Sequence, residues 1–228
     1  MKYSSPLRAI ADRMNKSVSE TSHPTVRQLQ SEVEMMTRQV AALENMAANQ
    51  SPHMTEDGHY TMIAREKERF SKQLDKTLNR INEKMRNGYV NLSQQRDDIL
   101  NLREDKYAEE YRTTFRNMTD DQRTKILKEA MTNQDSAFIA AITKAPALLS
   151  GLNDEIKDRT LNAYYKQNAP QLTKQISELE DAVSTSLVAL GNARKAVKDG
   201  LDPKKLADIQ AREKAHEAAQ AELKETRF

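Results

Sequence analysis

The chain has 228 residues, of which 37% are hydrophobic and 31% charged, and 36 basic against 34 acidic side chains leave a formal charge of +2. The charges are interspersed, with none of the basic stripes or tails of a dedicated nucleic-acid binder, and zero Cys removes disulfides, thiolate metal sites and cysteine nucleophiles together. With no Trp, four Phe, five Gly and six Pro, the composition argues against a large compact core and for a nearly all-α chain held by thin helix–helix seams.

In chain order, Ser5 reads as an N-cap with Pro6 at the first helical position. Leu7, Ile10, Met14 and Val18 then form a short amphipathic face, which Ser22-His23-Pro24 interrupts. From Thr25 to Ala48 the residues Val26, Leu29, Val33, Met36, Val40, Leu43 and Ala47 hold strict steps of three and four, a coiled-coil seam. Its partner is either the next helix of the same chain, in an antiparallel hairpin, or the same helix in another copy. The short loop from Asn49 to His59 favours the hairpin.

A long helix is expected from Tyr60 to Met118. Its seam runs through Leu74, Leu78, Ile81, Met85, Leu92, Ile99 and Leu102, with Gly88 and Gln95 at the two positions lacking a large apolar residue. Asn87-Gly88 is the weak point, because Gly often caps a helix end. The apolar phase continues across it, so the helix is expected to run on. Tyr107, Tyr111 and Phe115 then extend the stripe at spacings of four.

Residues 119–168 read as a cluster of short helices. Thr119 with Gln122 makes a capping box, Asp135 and Asn153 are further N-caps, and Phe138, Ile139 and Ile142 supply an apolar face. Ala145 to Leu152 is the most apolar stretch. Its Leu148, Leu149 and Leu152 are expected to be covered by the cluster, with Phe138, Ile142 and Tyr164 as neighbours; coverage by another protein is the alternative. Pro170 opens a helix striped by Leu172, Ile176, Leu179, Val183, Leu187, Leu190 and Val197. Gly200 closes it, and Asp202 caps a last helix with a thin seam of Leu206, Ile209 and Leu223. The expected architecture is all-α and elongated: N-terminal helices over 1–58, a long central helix over 59–118, a short-helix cluster over 119–168 and a helical hairpin or tail over 169–228.

Chemistry is sparse. Glu-x-x-His occurs at Glu20/His23, Glu56/His59 and Glu213/His216, but only the last pair lies inside an expected helix, among Ala and Lys. His53 and His59 with Glu56 and Asp57 could clasp a divalent ion, yet they sit in a loop with no supporting framework. Adjacent carboxylates such as Asp97/Asp98 and Glu109/Glu110 point about 100° apart on a helix and cannot face one substrate. No nucleophile elbow, phosphate loop or zinc-protease motif occurs. The Tyr107, Tyr111 and Phe115 rings could stack bases, but Glu104, Asp105, Glu109 and Glu110 in the same turns favour a packing face. The sequence thus predicts no enzyme, no cofactor and no metal.

Asn133 to Glu155, with its Ala141-Ile142 pair, Ala145-Pro146, Ser150-Gly151-Leu152 and Asp154-Glu155, resembles a segment of small helical proteins of tailed bacteriophages and prophages. The flanking helices are similar in character to scaffolding and internal head proteins: charged, Met-containing and Cys-free. The resemblance implies a virion structural protein or capsid-assembly factor, located in the particle or the host cytoplasm. Scaffolding proteins often end in a basic coat-binding helix; here Lys204, Lys205, Arg212 and Lys214 are balanced by Asp208, Glu213 and Glu217. The expected partners are the protein itself, as a homo-oligomer, and other virion components; a specific nucleic-acid ligand is not expected, and a helical nucleic-acid-associated or regulatory adaptor is the second reading. No apolar run approaches the roughly 20 residues that cross a bilayer, and with Lys2 isolated and no apolar stretch after it a signal peptide is not expected. The expected interaction residues are Val33, Val40 and Leu43 on the first seam, Leu78, Met85, Leu92 and Ile99 on the second, and Leu148, Leu149 and Leu152.

Overall fold

The computed structural model describes residues 2–225, with side chains placed through 222; Leu223, expected on the last seam, lies outside the described side chains. Among the described residues the structure is helical with no strand, in the order α1 (Ser4–Ser17), α2 (Pro24–Ala48), α3 (Glu56–Ile99), α4 (Ala108–Arg116), α5 (Asp120–Thr132), α6 (Ser136–Thr143), α7 (Ala147–Ser150), α8 (Asp154–Asn168), α9 (Pro170–Lys198) and α10 (Pro203–Glu225). The chain divides into two compact units, Met1–Lys84 with Asp181–Phe228, and Met85–Glu180.

In the first unit, α1, α2, the first part of α3 and the end of α9 run alternately up and down. The polar rungs between them show this. Asn15 meets Gln30 at 2.8 Å and the Thr37 hydroxyl donates to the Leu7 carbonyl at 3.4 Å, so α1 and α2 are antiparallel. Gln39 donates to Gln73 at 3.0 Å and Arg80 to Glu32 at 3.0 Å, so α2 and α3 are antiparallel too. Arg194 reaches Asp75 at 2.7 Å, and Lys67 donates to the Asp199 carbonyl, repeating the pattern for α9 against α3.

The apolar rows fill the spaces between the rungs: Leu7, Ala11 and Met14 on α1, and Val26, Leu29, Val33, Met36, Val40 and Leu43 on α2, are all buried. The α2 seam is therefore closed within the chain, as the hairpin alternative required. On α9 the buried face in this unit is broad and small, with Ala182, Ser186, Ala189 and Ala193 beside Val183, Leu190 and Val197, while Leu187 is 39% exposed. Small residues let a helix sit close to its neighbours, and the larger Leu187 is left outside that face.

Caps are in part tertiary. The N-terminus of α1 is closed by Glu44 of α2, whose carboxylate accepts the Tyr3 amide at 2.6 Å together with the amide and hydroxyl of Ser4. The expected local cap at Ser5 is thus replaced by a charged acceptor from a neighbouring helix, a stronger partner for free N–H groups than a hydroxyl. At the same end of the unit, where Lys2 pairs with Asp199 at 3.1 Å, the buried Lys67 donates to the Asp199 carbonyl just past α9, and Gly200 takes a left-handed φ of 71°. Burial pushes the Lys67 ammonium below its usual pKa, and the nearby Asp199 charge works against that shift. Asp202 caps α10 as expected, accepting the Lys204 amide at 2.9 Å. Of the described side chains of α10 only Ile209 is buried.

In the second unit α3 ends earlier than expected. It passes through Asn87-Gly88 without a break but stops at Ile99. Asn101 adopts a left-handed φ of 46°, the Leu102 amide donates to the Asp97 carbonyl at 2.9 Å and the Asn101 amide to Asp98 at 3.0 Å. This is the Schellman closure, made here by Asn in place of the usual Gly. Leu102 turns into the core with no exposure, and the chain restarts as α4. The core joins Leu102, Phe115, Leu127, Phe138, Ile139, Ile142, Leu152, Tyr164 and Tyr165. Phe138 is its hub, with edge-on contacts to Phe115 at 6.0 Å and Tyr111 at 5.6 Å between ring centres. The sequence-derived caps at Thr119, Asp135 and Asn153 all form.

Glu32 offers a direct test of the α2–α3 pairing. Its side chain is 9% exposed and accepts from Arg80 and Lys84. Burial alone would raise its pKa, but the Arg80 hydrogen bonds and the two cations hold it below the ordinary 4.5. A depressed pKa means stabilisation that is present above the ordinary value and lost as the pH falls through the folded one. Glu32→Gln is expected to cost about 1.5–3 kcal/mol at neutral pH, the range for hydrogen bonds to charged groups. In urea titrations the gap between parent and variant should narrow as the pH drops below 4.5. A gap that does not change with pH would contradict the ionised pairing.

Candidate docking site at the α7 turn

Ala145 to Leu152 folds so that its small residues face inward and two of its leucines face out. Pro146 starts the turn with φ of −51° and Gly151 ends it with φ of 74°. A Cβ at Gly151 would stand 2.9 Å from Cγ of Arg116, so the turn lies directly on the end of α4. Only small groups fit beneath: Ala145 is 4% exposed and Ser150 0%. Leu148 and Leu149 are carried to the opposite side, at 86% and 45% exposure, while Leu152, just past the left-handed glycine, returns to the core at 7%. Burial of Leu148 and Leu149 under the cluster, as expected from their apolarity, is therefore overturned. The turn is seated on the end of α4 instead, with the Arg116 stem beneath Gly151.

The turn is firmly held. Arg123 of α5 donates to the carbonyls of Phe115 at 3.0 Å, Arg116 at 2.7 Å and Gly151 at 3.4 Å, tying α4, α5 and the turn together. Lys157 of α8 donates to the Ala145 carbonyl at 2.9 Å and pairs with Asp154 at 2.7 Å. The two exposed leucines thus project from a backbone fixed at both ends. Exposed apolar side chains on a pre-ordered turn lose little entropy when a partner covers them.

The other expected interaction residues fall elsewhere. Val33 and Val40 are fully buried and Leu43 is 8% exposed, all inside the first unit; they are internal packing residues, not a surface for another copy. On α3 the buried arc contains Phe70, Leu74, Thr77, Ile81, Gly88 and Leu92. Leu74, Ile81 and Leu92 match the expected seam, but Leu78 is only half-buried, Met85 is 46% exposed and Ile99 71% exposed. The seam is displaced toward Thr77 because the covering helix, not side-chain size, selects the buried side. Thr77 is tolerated there since its hydroxyl accepts from Arg80 at 2.9 Å.

The candidate metal residues are not assembled. Glu56 pairs with Lys205 at 2.9 Å and Asp57 with Arg212 at 2.9 Å, while His59 is turned inward at 8% exposure. His23 instead caps α2, accepting the Thr25 amide, and His216 contacts Gln220. Among the described residues no group of three or more His, Cys, Asp or Glu is placed to hold a metal ion. The Tyr107–Tyr111–Phe115 row is a graded packing face: Phe115 is fully buried and Tyr107 is 44% exposed.

Comparison with protein families, with characterised proteins and with solved structures found no match. The sequence carried one signal for the outward turn: a four-residue segment between Pro and Gly is too short to present a buried stripe. Its direction was hidden, because the Gly151–Arg116 contact that sets it is tertiary.

Two expectations follow for thermal melts. Leu148→Ser and Leu149→Ala should each change stability by less than about 0.5 kcal/mol, as exposed positions do, whereas Leu152→Ala should cost about 2–5 kcal/mol. On α3, Leu92→Asp places an unpaired charge at a fully buried site and should cost several kcal/mol, while Ile99→Asp should melt like the parent. The reverse order in either pair would show that the burial described is wrong.

Proposed function

We propose that this chain is a structural or assembly protein of a tailed-phage particle, a head, portal-associated, internal or scaffolding-like component that works by docking on another protein of the particle. The observation that carries the reading is the Leu148–Leu149 pair, exposed on a turn held from both sides. It lies within the very segment, 133–155, that resembles phage and prophage proteins. An apolar pair displayed in this way supports a contact surface, and the reading assigns the chain no catalytic residue, cofactor or metal.

The seams support docking to a different protein over self-association, since Val33, Val40, Leu43 and Leu92 are used up in internal packing. A scaffolding-type basic tail finds less support, because Lys205 and Arg212 of α10 are engaged by Glu56 and Asp57. Among the described residues no helix is long and apolar enough to cross a membrane.

The test is incorporation. Purified particles from a lysogen or phage carrying this gene should contain the chain, and the double variant Leu148→Asp/Leu149→Asp should melt like the parent yet be lost from particles or assembly intermediates. Undiminished incorporation of the double variant would remove α7 as the docking site. Absence of the parent chain from both particles and intermediates would overturn the reading as a whole.

A further inference from the structure

We infer that a second surface of this chain, the groove between α5 and α8, receives an acidic amphipathic helix of another protein. The two helices each pack against α6 but not closely against one another, which leaves an open groove of about 630 Å³. Its floor is apolar: Leu127 and Met131 from α5 and Ile156 from α8. Leu127 is buried at 8% exposure, but Ile156 remains 41% exposed, so the floor is left partly uncovered.

The rim is cationic on both sides, with Lys128 on α5 and Arg159 and Lys166 on α8, and no carboxylate lines the groove. All three cations are exposed, and none forms an ion pair with a described residue.

The occupant follows from the two halves of this lining. An apolar floor asks for a row of Leu, Ile or Met side chains, and a groove bounded by two helices accepts that row at helical spacing, from positions i, i+3, i+4 and i+7 of a docking helix. Unpaired cations on both rims ask for Asp or Glu flanking the row, and complementary charge sets the orientation and speeds encounter. A nucleic-acid backbone would satisfy the cations but would leave Leu127, Met131 and Ile156 facing phosphate and sugar. The same lining discriminates against a basic helix, whose charges would face Lys128, Arg159 and Lys166.

Fluorescence anisotropy on the full chain tests this with three labelled probes: a helical peptide of about 18 residues with Leu at the seam positions and Glu beside them, the same peptide with Lys replacing Glu, and a short DNA duplex. The Glu peptide should bind and weaken with added salt, and the Lys peptide and the duplex should not bind. Lys128→Glu/Arg159→Glu should keep the parent melting curve and lower affinity for the Glu peptide by at least about tenfold. The Leu148→Asp/Leu149→Asp chain should bind the peptide as the parent does, so that failure of the groove and failure of the α7 site are read separately. Absent binding of the Glu peptide, equal binding of the Lys peptide, undiminished binding by the charge-reversed chain, or binding of the duplex in its place would each overturn the assignment.

Discussion

The second unit depends on one helix with no polar side. In α6, every residue from Phe138 to Thr143 is buried, and a helix that is apolar all round has to be enclosed on all sides. α4, α5, α7 and α8 are the elements that enclose it. Its ends are settled locally: the Asp135 carboxylate accepts the Phe138 amide at 3.0 Å, and the Thr143 hydroxyl donates to the Ile139 carbonyl at 2.6 Å. Ala140 and Ala141 lie on it without exposure, so the surrounding helices approach closely there. Phe115, Phe138 and Tyr164 fill the core around it, while Leu148 and Leu149 stay outside, and the α5–α8 groove is the gap left where two of its covering helices part.

The first unit solves a different problem. It has no all-apolar helix, and its thin seams are kept in register by polar rungs. Glu32, received by both Arg80 and Lys84 with Thr77 alongside, fixes α2 against α3. Glu44 on the α1 terminus and Lys67 on the Asp199 carbonyl after α9 do the same at one end of the unit. Such groups are costly to desolvate, so their contribution depends on every partner being present. They do, however, penalise any sliding of one helix along another, which uniform rows of Val, Leu and Ala would allow.

Much of this was legible in the sequence where local chemistry decides. The α2 seam, the capping box at Thr119 and Gln122, the caps at Asp135, Asn153 and Asp202, and the Phe138–Ile142–Tyr164 core follow from spacing and hydrogen-bonding capacity alone. The passage of α3 through Asn87-Gly88 was legible too, because the apolar phase is unbroken there. Its stop at Asn101 was not, since a left-handed Asn carries no signal as strong as Gly. Which side of α3 is buried depends on where α2 and α9 lie, and so Thr77 displaced Leu78. The same holds for the α7 leucines, whose direction is set by Arg116 packing on Gly151, and for α1, whose cap arrives from Glu44.

Amide hydrogen exchange on the intact chain tests the enclosure of α6 most directly. If α6 is the shielded centre of the second unit, amides from Phe138 to Lys144 should be the slowest in Met85–Glu180 and should exchange only when that whole unit unfolds. The α7 amides on the surface turn should exchange orders of magnitude faster, by local opening. Protection of α6 no greater than that of α7 or of the exposed residues 210–222 of α10 would contradict the account, because the packing of the second unit depends on its enclosure.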